Sequence, residues 1–267
     1  MDTRCVDYRT PNIHNTVQIN MKKIIAIGDI HGRDTWEQIP DVFDQENIVV
    51  FVGDYFDTRD GISLVKQLRN FQSIVAFKRN NPERVHLLIG NHDFHYMNGR
   101  GADRYSGFQE DGYMAINMAL EEANGEGLLE VCYRHDKILF THAGITETWA
   151  KNWNVSVDAP DIEKSMWGLF NFKPEAFRFQ IGAIDPSGDD VIQSPIWVRP
   201  DSLQEDNLKG YSQIVGHTMQ NHVYNRTGMN NPMGIYSALT FIDTLHVGEY
   251  LEIELPDLMA HTRKINK

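Results

Sequence analysis

Apolar residues along this chain gather into short runs that stop abruptly, and several of the runs stop at a glycine followed by an acid or an imidazole. The first is Ile24-Ile25-Ala26-Ile27, closed by Gly28-Asp29-Ile30-His31-Gly32. Its length and β-branched content predict a buried strand. A second run over 48–52 closes on Gly53-Asp54-Tyr55-Phe56-Asp57, and a third over 85–89 closes on Gly90-Asn91-His92-Asp93. Between them, residues 61–80 have helical spacing, with Leu64, Val65, Leu68, Phe71, Ile74 and Val75 on one face. That pattern predicts a helical crossover between parallel strands. Residues 34–38 read as a helix start with Asp34 as N-cap, cut short by Pro40.

Further along, 94–112 is rich in Gly, Arg, Tyr and Asn and predicts an irregular flap, while 113–124 is helical. Residues 127–133 and 137–140 predict a hairpin around Arg134-His135-Asp136, whose second strand ends at Thr141-His142-Ala143-Gly144. The stretch 145–212 shows helical patches at 146–152 and 161–170 and a turn at 187–190. It also carries Ile196-Trp197-Val198-Arg199-Pro200, where the indole is placed to brace the guanidinium. A short strand over 213–215 ends in Gly216-His217-Thr218, and alternation over 223–235, 239–242 and 250–255 predicts antiparallel strands closing the sheet. Without a repeat or low-complexity linker, 21–267 is expected to be one domain. Residues 1–20 lack the apolar stretch of a signal peptide and read as an extension, a disordered arm or an upstream start.

The polar clusters carry the chemistry. Ligands collect at the carboxyl ends of strands in open α/β sheets, and carboxylate, carboxamide and imidazole together suit borderline to hard divalent ions. One such cluster is equally well a helix cap; its repetition strand after strand is not. A net charge of −12 disfavours nucleic acid as a partner and is in part a charge that bound cations would meet. With 41% hydrophobic residues and no run of bilayer length, the composition fits a soluble globular protein without a membrane partner. Two cysteines, Cys5 and Cys132, offer no disulfide framework and point to a reducing, cytoplasmic setting, with Cys132 in the core.

Taken in order, GDIHG at 28–32, GDYFD at 53–57, GNHD at 90–93, THAG at 141–144 and GHT at 216–218 resemble the calcineurin-like metallophosphoesterase superfamily. Within it, the series is most similar to the phosphoprotein-phosphatase branch and its bacterial and phage relatives. Met219 stands where many other members carry a further histidine. The resemblance implies a four-layer α/β/β/α sandwich with a dinuclear metal site at one sheet edge. Asp29 and His31 would bind the first ion, Asp54 would bridge, and Asn91, His142 and His217 would complete the second. Manganese is the preferred pair, with Fe²⁺, Zn²⁺ or Mg²⁺ as substitutes. Two such ions acidify a bridging water for in-line attack at phosphorus. By the same resemblance His92 is the general acid, held by Asp57, and Arg199 and Arg59 grip the phosphate. Two positions depart from the pattern: Thr58 replaces the arginine that usually follows the second acid, with Arg59 one place later, and Asp93 replaces a glutamate.

The implied activity is a phosphomonoesterase of the serine/threonine protein phosphatase kind, its partner a phosphorylated protein or nucleotide. A second reading is a dinucleoside-tetraphosphate hydrolase, since His142-Ala143-Gly144-Ile145-Thr146 followed by Trp149 is similar to such enzymes, which usually carry glutamine where His31 stands. A third is a metal-binding scaffold without catalysis; the presence of every implied ligand argues against it. Arg100 and Arg104 on the flap are candidate substrate contacts, and His95, close to the third motif, is a candidate support for it. His86, His135, His222, His246 and His261 read as structural or solvated. Trp149, Trp153 and Trp167 are expected in a local core. Nothing in the sequence bears on oligomeric state.

Overall fold

The computed structural model describes residues 21–97, 104–158, 161–180, 185, 188–227 and 238–265. Its strands are β1 (Lys23–Ile27), β2 (Asn47–Phe51), β3 (Val85–Leu88), β4 (Leu129–Glu130), β5 (Cys132–His135), β6 (Ile138–Thr141), β7 (Ser212–Val215), β8 (Tyr224–Thr227), β9 (Ala238–Phe241), β10 (Glu249–Glu254) and β11 (Met259–Lys264). The helices are α1 (Leu64–Asn80), α2 (Asn91–Phe94), α3 (Tyr113–Gly125), α4 (Glu147–Asn152), α5 (Asp161–Phe172) and α6 (Pro200–Glu205). One sheet runs β11-β10-β1-β2-β3-β4 and the other β5-β6-β7-β9-β8.

Side-chain alternation along the strands explains the layering. Ile24, Ala26, Ile48, Val50 and Leu88 of the first sheet share a core with Ile138, Phe140 and Ile214 of the second. The intervening Ile25, Ile27, Val49, Phe51 and Leu87 belong instead to the core that holds Phe71 and Ile74 of α1 and Ile116 and Leu120 of α3. A sheet covered on both faces needs apolar residues at every position, which is why these strands read as continuous runs. On the far side, Val215, Leu239 and Phe241 of the second sheet pack with Leu203 of α6. The result is the four-layer α/β/β/α arrangement that the motif series implied.

Six strands set up the site. β1, β2 and β3 are parallel neighbours in the first sheet, and β6, β7 and β9 are parallel neighbours in the second. Their carboxyl ends deliver Asp29, Asp54, Asn91, His142, His217 and Asp243 respectively.

Several expected elements differ. The helix begins at Leu64 rather than at residue 61, and Val65 is 56% exposed, turned off the buried face. Residues 34–38 hold only a single 3-10 turn, Thr35–Gln38, and the Asp34 side chain makes no capping bond. What reads as one strand over 127–133 is two: β4 pairs parallel with β3, and β5 pairs antiparallel with β6 in the other sheet. Periodicity reports which face is buried, not which sheet a strand joins. For the same reason β9, expected to be antiparallel, is parallel to β7, although β8 on its other side is antiparallel. The edge strand β11 is mostly exposed and polar and left no apolar signature. Trp149 is buried and donates to the Ala176 carbonyl at 3.1 Å, and Trp153 packs against the same core, but Trp167 is 51% exposed on α5. His86 stacks on Tyr133 at 3.6 Å and bonds Glu130, an ordinary structural role. Arg100 and residues 228–235 of the expected strand lie outside the described residues. No helix of the described residues is long and apolar enough to cross a membrane.

Candidate active site

Asp29, His31, Asp54, Asn91, His142 and His217, spread over almost two hundred positions of sequence, meet at this one edge. Asn91 Oδ1 lies 2.9 Å from His142 Nε2 and 2.9 Å from His217 Nδ1. Asp54 Oδ2 lies 3.5 Å from His142 Nε2 and 3.8 Å from His31 Nε2. Asp29 completes the ring of contacts by accepting the His217 backbone N–H at 3.1 Å.

The tautomers follow from the outer contacts. His31 Nδ1 donates to the Phe56 carbonyl at 2.7 Å, His142 Nδ1 to that of Val52 at 2.8 Å, and His217 Nε2 to that of Trp197 at 3.1 Å. Each ring therefore turns an unprotonated nitrogen inward. Burial lowers the pKa of all three, so they are neutral near pH 7, the form that binds metal. Inward lone pairs of three imidazoles, a carboxamide oxygen and the carboxylates are all acceptors, an arrangement that cations satisfy and protein donors do not. Burial and then the charges of Asp243 and Asp54 push Asp29 well above the usual carboxylate range. Those acids and imidazoles fit a divalent metal centre, and Asp29, His31 and Asp54 by themselves bring ligand atoms within 4.8 Å of one another.

The backbone is built for close approach. His31, Asp54, Asp57 and His217 have φ of 45°, 53°, 61° and 65°, a left-handed region that acids and imidazoles enter more readily than most side chains. A Cβ on Gly216 would sit 2.0 Å from Asp29 Oδ1, and one on Gly90 would sit 2.1 Å from Asp54 Oδ1. Gly216→Ala should therefore displace the Asp29 carboxylate, weakening metal retention and costing roughly 1–3 kcal/mol of stability. Metal content after dialysis, together with a denaturation curve, checks this.

Beside the centre, Asp57 is buried among donors. Its Oδ2 accepts from His92 Nδ1 at 2.9 Å and His95 Nε2 at 2.7 Å, and its Oδ1 from the Tyr96 hydroxyl at 2.5 Å and Gln109 Nε2 at 3.1 Å. Burial opposes ionisation, but hydrogen bonds from His92, His95 and Tyr96 outweigh it and hold the carboxyl down to about 2, from an ordinary 3.8. A depressed carboxylate stabilises the fold above its unfolded pKa and loses that contribution as pH falls through the folded one. Asp57→Asn should thus cost about 2 kcal/mol at neutral pH. Urea titrations should show the gap between the two proteins closing as pH falls from 3.8 towards 2. For His92, burial pulls the pKa down, but the Asp54 charge and the Asp57 hydrogen bond win and hold it above the ordinary imidazole value.

A cavity of about 480 Å³ opens over this edge, lined by His31, Asp54, Asn91, His92, His217 and both arginines of interest, Arg59 and Arg199. Arg199 Nη1 donates to Thr218 Oγ1 at 3.2 Å, and Trp197, two residues before it, turns its ring to the cavity wall. Met219, in the place of the further histidine, lines the same cavity. Arg104 does not: it pairs with Glu110 and lies over Phe108 at 5.0 Å, 62% exposed. Sequence reading missed Asp243, Tyr105 and Phe179, all in the lining. It also missed the Asp93 carboxylate as a clamp, which accepts the backbone N–H groups of Asp54, Tyr55 and Gly90 at 2.8, 2.8 and 3.0 Å.

Comparison with known proteins bears on the family and the fold. A family model described as calcineurin-like phosphoesterase matches residues 22–221. A probable serine/threonine-protein phosphatase of Encephalitozoon cuniculi (strain GB-M1) is 22% identical over 219 residues, covering 78% of this chain and 41% of that protein. The chain thus spans about two fifths of the length of this curated relative. Among solved structures, the cold-active protein-tyrosine phosphatase of a psychrophilic Shewanella species superposes with a TM-score of 0.56 at 16% identity, over 92% of this chain and 81% of that one. A metallophosphoesterase from Sphaerobacter thermophilus gives 0.51 at 12% identity, over 92% and 89%. At these identities the two structures speak to the fold.

Proposed function

The chain belongs to the calcineurin-like phosphoesterase family, and on that premise we propose that it is a metal-dependent phosphomonoester hydrolase acting on phosphoserine or phosphothreonine in proteins. The observation that carries this is the convergence, in one cavity, of a neutral-imidazole and carboxylate centre, a His92 whose pKa the Asp54 charge and the Asp57 hydrogen bond hold above the ordinary imidazole value against burial, and two guanidinium groups. Asp29 and His31 would hold one ion, Asn91, His142 and His217 another, and Asp54 both. Bound there, two divalent ions would acidify the attacking water, orient the phosphoryl oxygens and offset charge at phosphorus.

The remaining work falls to the chain. Arg199 and Arg59 face the cavity from its rim, where a guanidinium pairs two phosphoryl oxygens at once. Asp57 keeps the His92 ring oriented with Nδ1 donating to it, so that the other ring nitrogen can deliver a proton to the leaving oxygen. A ligand set of carboxylates, a carboxamide and imidazoles without thiolate suits Mn²⁺, Fe²⁺ or Zn²⁺, and manganese is the pair we propose. The buried thiol of Cys132 fits the reducing cytoplasm as its setting.

Metal-stripped protein assayed on a generic aryl phosphate should regain turnover with Mn²⁺. Inactivity across Mn²⁺, Fe²⁺, Zn²⁺ and Mg²⁺ would overturn the reading, and a bridged dinucleotide cleaved faster than a phosphopeptide would replace it with nucleotide hydrolysis. We assign the whole activity to 21–267, so a protein begun at Met21 should keep full turnover.

A further inference from the structure

The carboxylate oxygen that orients His92 is also held from behind. Asp57 Oδ2 lies 2.9 Å from His92 Nδ1 and 2.7 Å from His95 Nε2. The His95 side chain is fully buried, walled by Tyr96, Tyr105 and Phe108 with ring centres 4.4, 5.9 and 5.0 Å away. Among the described residues its Nδ1 has no hydrogen-bond partner, so the bond to Asp57 is the ring's one polar contact. A phenyl ring would fill such a cage without an unpaired nitrogen, whose burial costs roughly 1–3 kcal/mol. What the imidazole adds is the bond to Asp57.

The second oxygen is fixed in the same way, from the flap. Oδ1 accepts from the Tyr96 hydroxyl at 2.5 Å and from Gln109 Nε2 at 3.1 Å. The Gln109 backbone N–H donates in turn to the Tyr96 hydroxyl at 2.6 Å, and its amide exchanges a pair of bonds with Gln67 of α1 at 3.0 and 3.2 Å. Gly107, at φ 95°, lets this stretch lie directly on Asp57, since a Cβ there would meet that of Asp57 at 3.3 Å. A carboxylate offers about four lone-pair sites. His92, His95, Tyr96 and Gln109 take them, and the carboxylate plane has no freedom left to turn.

We infer that His95 and Gln109 are positioning residues for proton delivery: by holding Asp57 from behind they fix the plane of the His92 ring, so that its other nitrogen faces the leaving oxygen. The inference deepens the phosphoesterase reading and rests on His92 as the proton donor. The His92 side chain is 15% exposed at the cavity and is mounted on its one bond to Asp57. A ring so mounted swings with the carboxylate that holds it, and a displacement of about 1 Å near a reacting group costs on the order of a hundredfold in rate. As the bond from phosphorus to the leaving oxygen breaks, with its electron pair on that oxygen, the proton passes to it from Nε2 while Nδ1 stays bound to Asp57. A network that merely satisfied a buried charge would act on stability and affect every substrate alike. One that aims a proton matters only where the leaving group needs it.

The test is a double-mutant cycle on manganese-loaded protein, read on a phosphoserine peptide and on a nitrophenyl phosphate. His95→Leu should lower kcat on the peptide about ten- to a hundredfold, with KM and metal content kept and the nitrophenyl ester little affected. His95→Gln, whose amide nitrogen can stand where Nε2 stands, should recover most of that loss. In a His92→Asn background, His95→Leu should lower kcat no further. Gln109→Met removes a donor from the other oxygen; it should show the same pattern at smaller size, and it carries the test if His95→Leu does not fold. A second arm needs no turnover: in zinc-loaded protein isotope-labelled at the histidine nitrogens, the His92 Nδ1 proton should exchange with water faster in His95→Leu and Gln109→Met than in wild type. Equal losses on both substrates, losses that multiply with that of His92→Asn, or an unchanged exchange rate overturns the positioning role and leaves the phosphoesterase reading standing. A His92→Asn protein as active as wild type on the peptide removes His92 as donor and this inference with it. No hydrolysis of any phosphomonoester removes the parent reading as well.

Discussion

Asp54→Asn should abolish turnover and strip the protein of most of its metal. The residue is 2% exposed and stands between the two halves of the centre, with Oδ2 facing His31 on one side and His142 on the other. Oδ1 is held by the His92 backbone N–H at 2.9 Å, so the carboxylate cannot turn away to compensate. Asparagine keeps the shape, can accept the same backbone bond and tolerates the φ of 53° that a larger side chain would not. The substitution therefore removes charge while sparing the fold. On the proposed role of Asp54 as the anion shared by two ions, its loss should cost about 4 kcal/mol of transition-state stabilisation, on the order of a thousandfold in rate. Elemental analysis beside the phosphatase assay is the check. A variant that keeps two equivalents of metal and a tenth of the wild-type rate would show that Asp54 does not bridge.

Much of this edge is legible because the chain repeats one local device. A strand buried on both faces gives a continuous apolar run, and the first polar residues beyond it can face only the edge. Asp29, Asp54, Asn91, His142 and His217 stand out that way, each after a glycine or beside a small residue, and their roles as ligands come from the resemblance of the motif series. Asp243 follows β9 by the same rule, yet Phe241-Ile242-Asp243-Thr244 has no glycine or histidine to mark it, and a single acid after a strand looks like a cap. The left-handed backbone at His31, Asp54, Asp57 and His217 leaves no trace in composition, since it is imposed by hydrogen bonds between neighbouring loops such as His31 N to the Asp54 carbonyl at 2.6 Å. Tyr105 and Phe179 escaped for another reason. They belong to connecting stretches whose ordering comes from ring contacts between distant segments, and no periodicity records such contacts. The rule that exposes the polar cluster at the sheet edge is local, whereas the rule that lines the cavity above it is tertiary.

Removing the His92 side chain should separate proton delivery from metal binding. Its backbone N–H holds Asp54 Oδ1, a contact that asparagine retains, while its ring meets Asp57 at 2.9 Å and lines the cavity. His92→Asn should then keep the wild-type metal content and lose about a hundredfold to ten-thousandfold in kcat on a phosphoserine peptide. The size of the loss should depend on the leaving group. An alkoxide is too basic to depart without a proton, whereas a nitrophenolate departs readily, so the same variant should be far less impaired on a nitrophenyl phosphate. With the acid form required, wild-type kcat on the alkyl ester should decline as pH rises through the His92 pKa, which lies above the ordinary imidazole value because Asp54 and Asp57 outweigh burial. That decline should vanish in His92→Asn. Equal losses on both substrates, or a variant depleted of metal, would mean that His92 builds the centre and does not donate the proton.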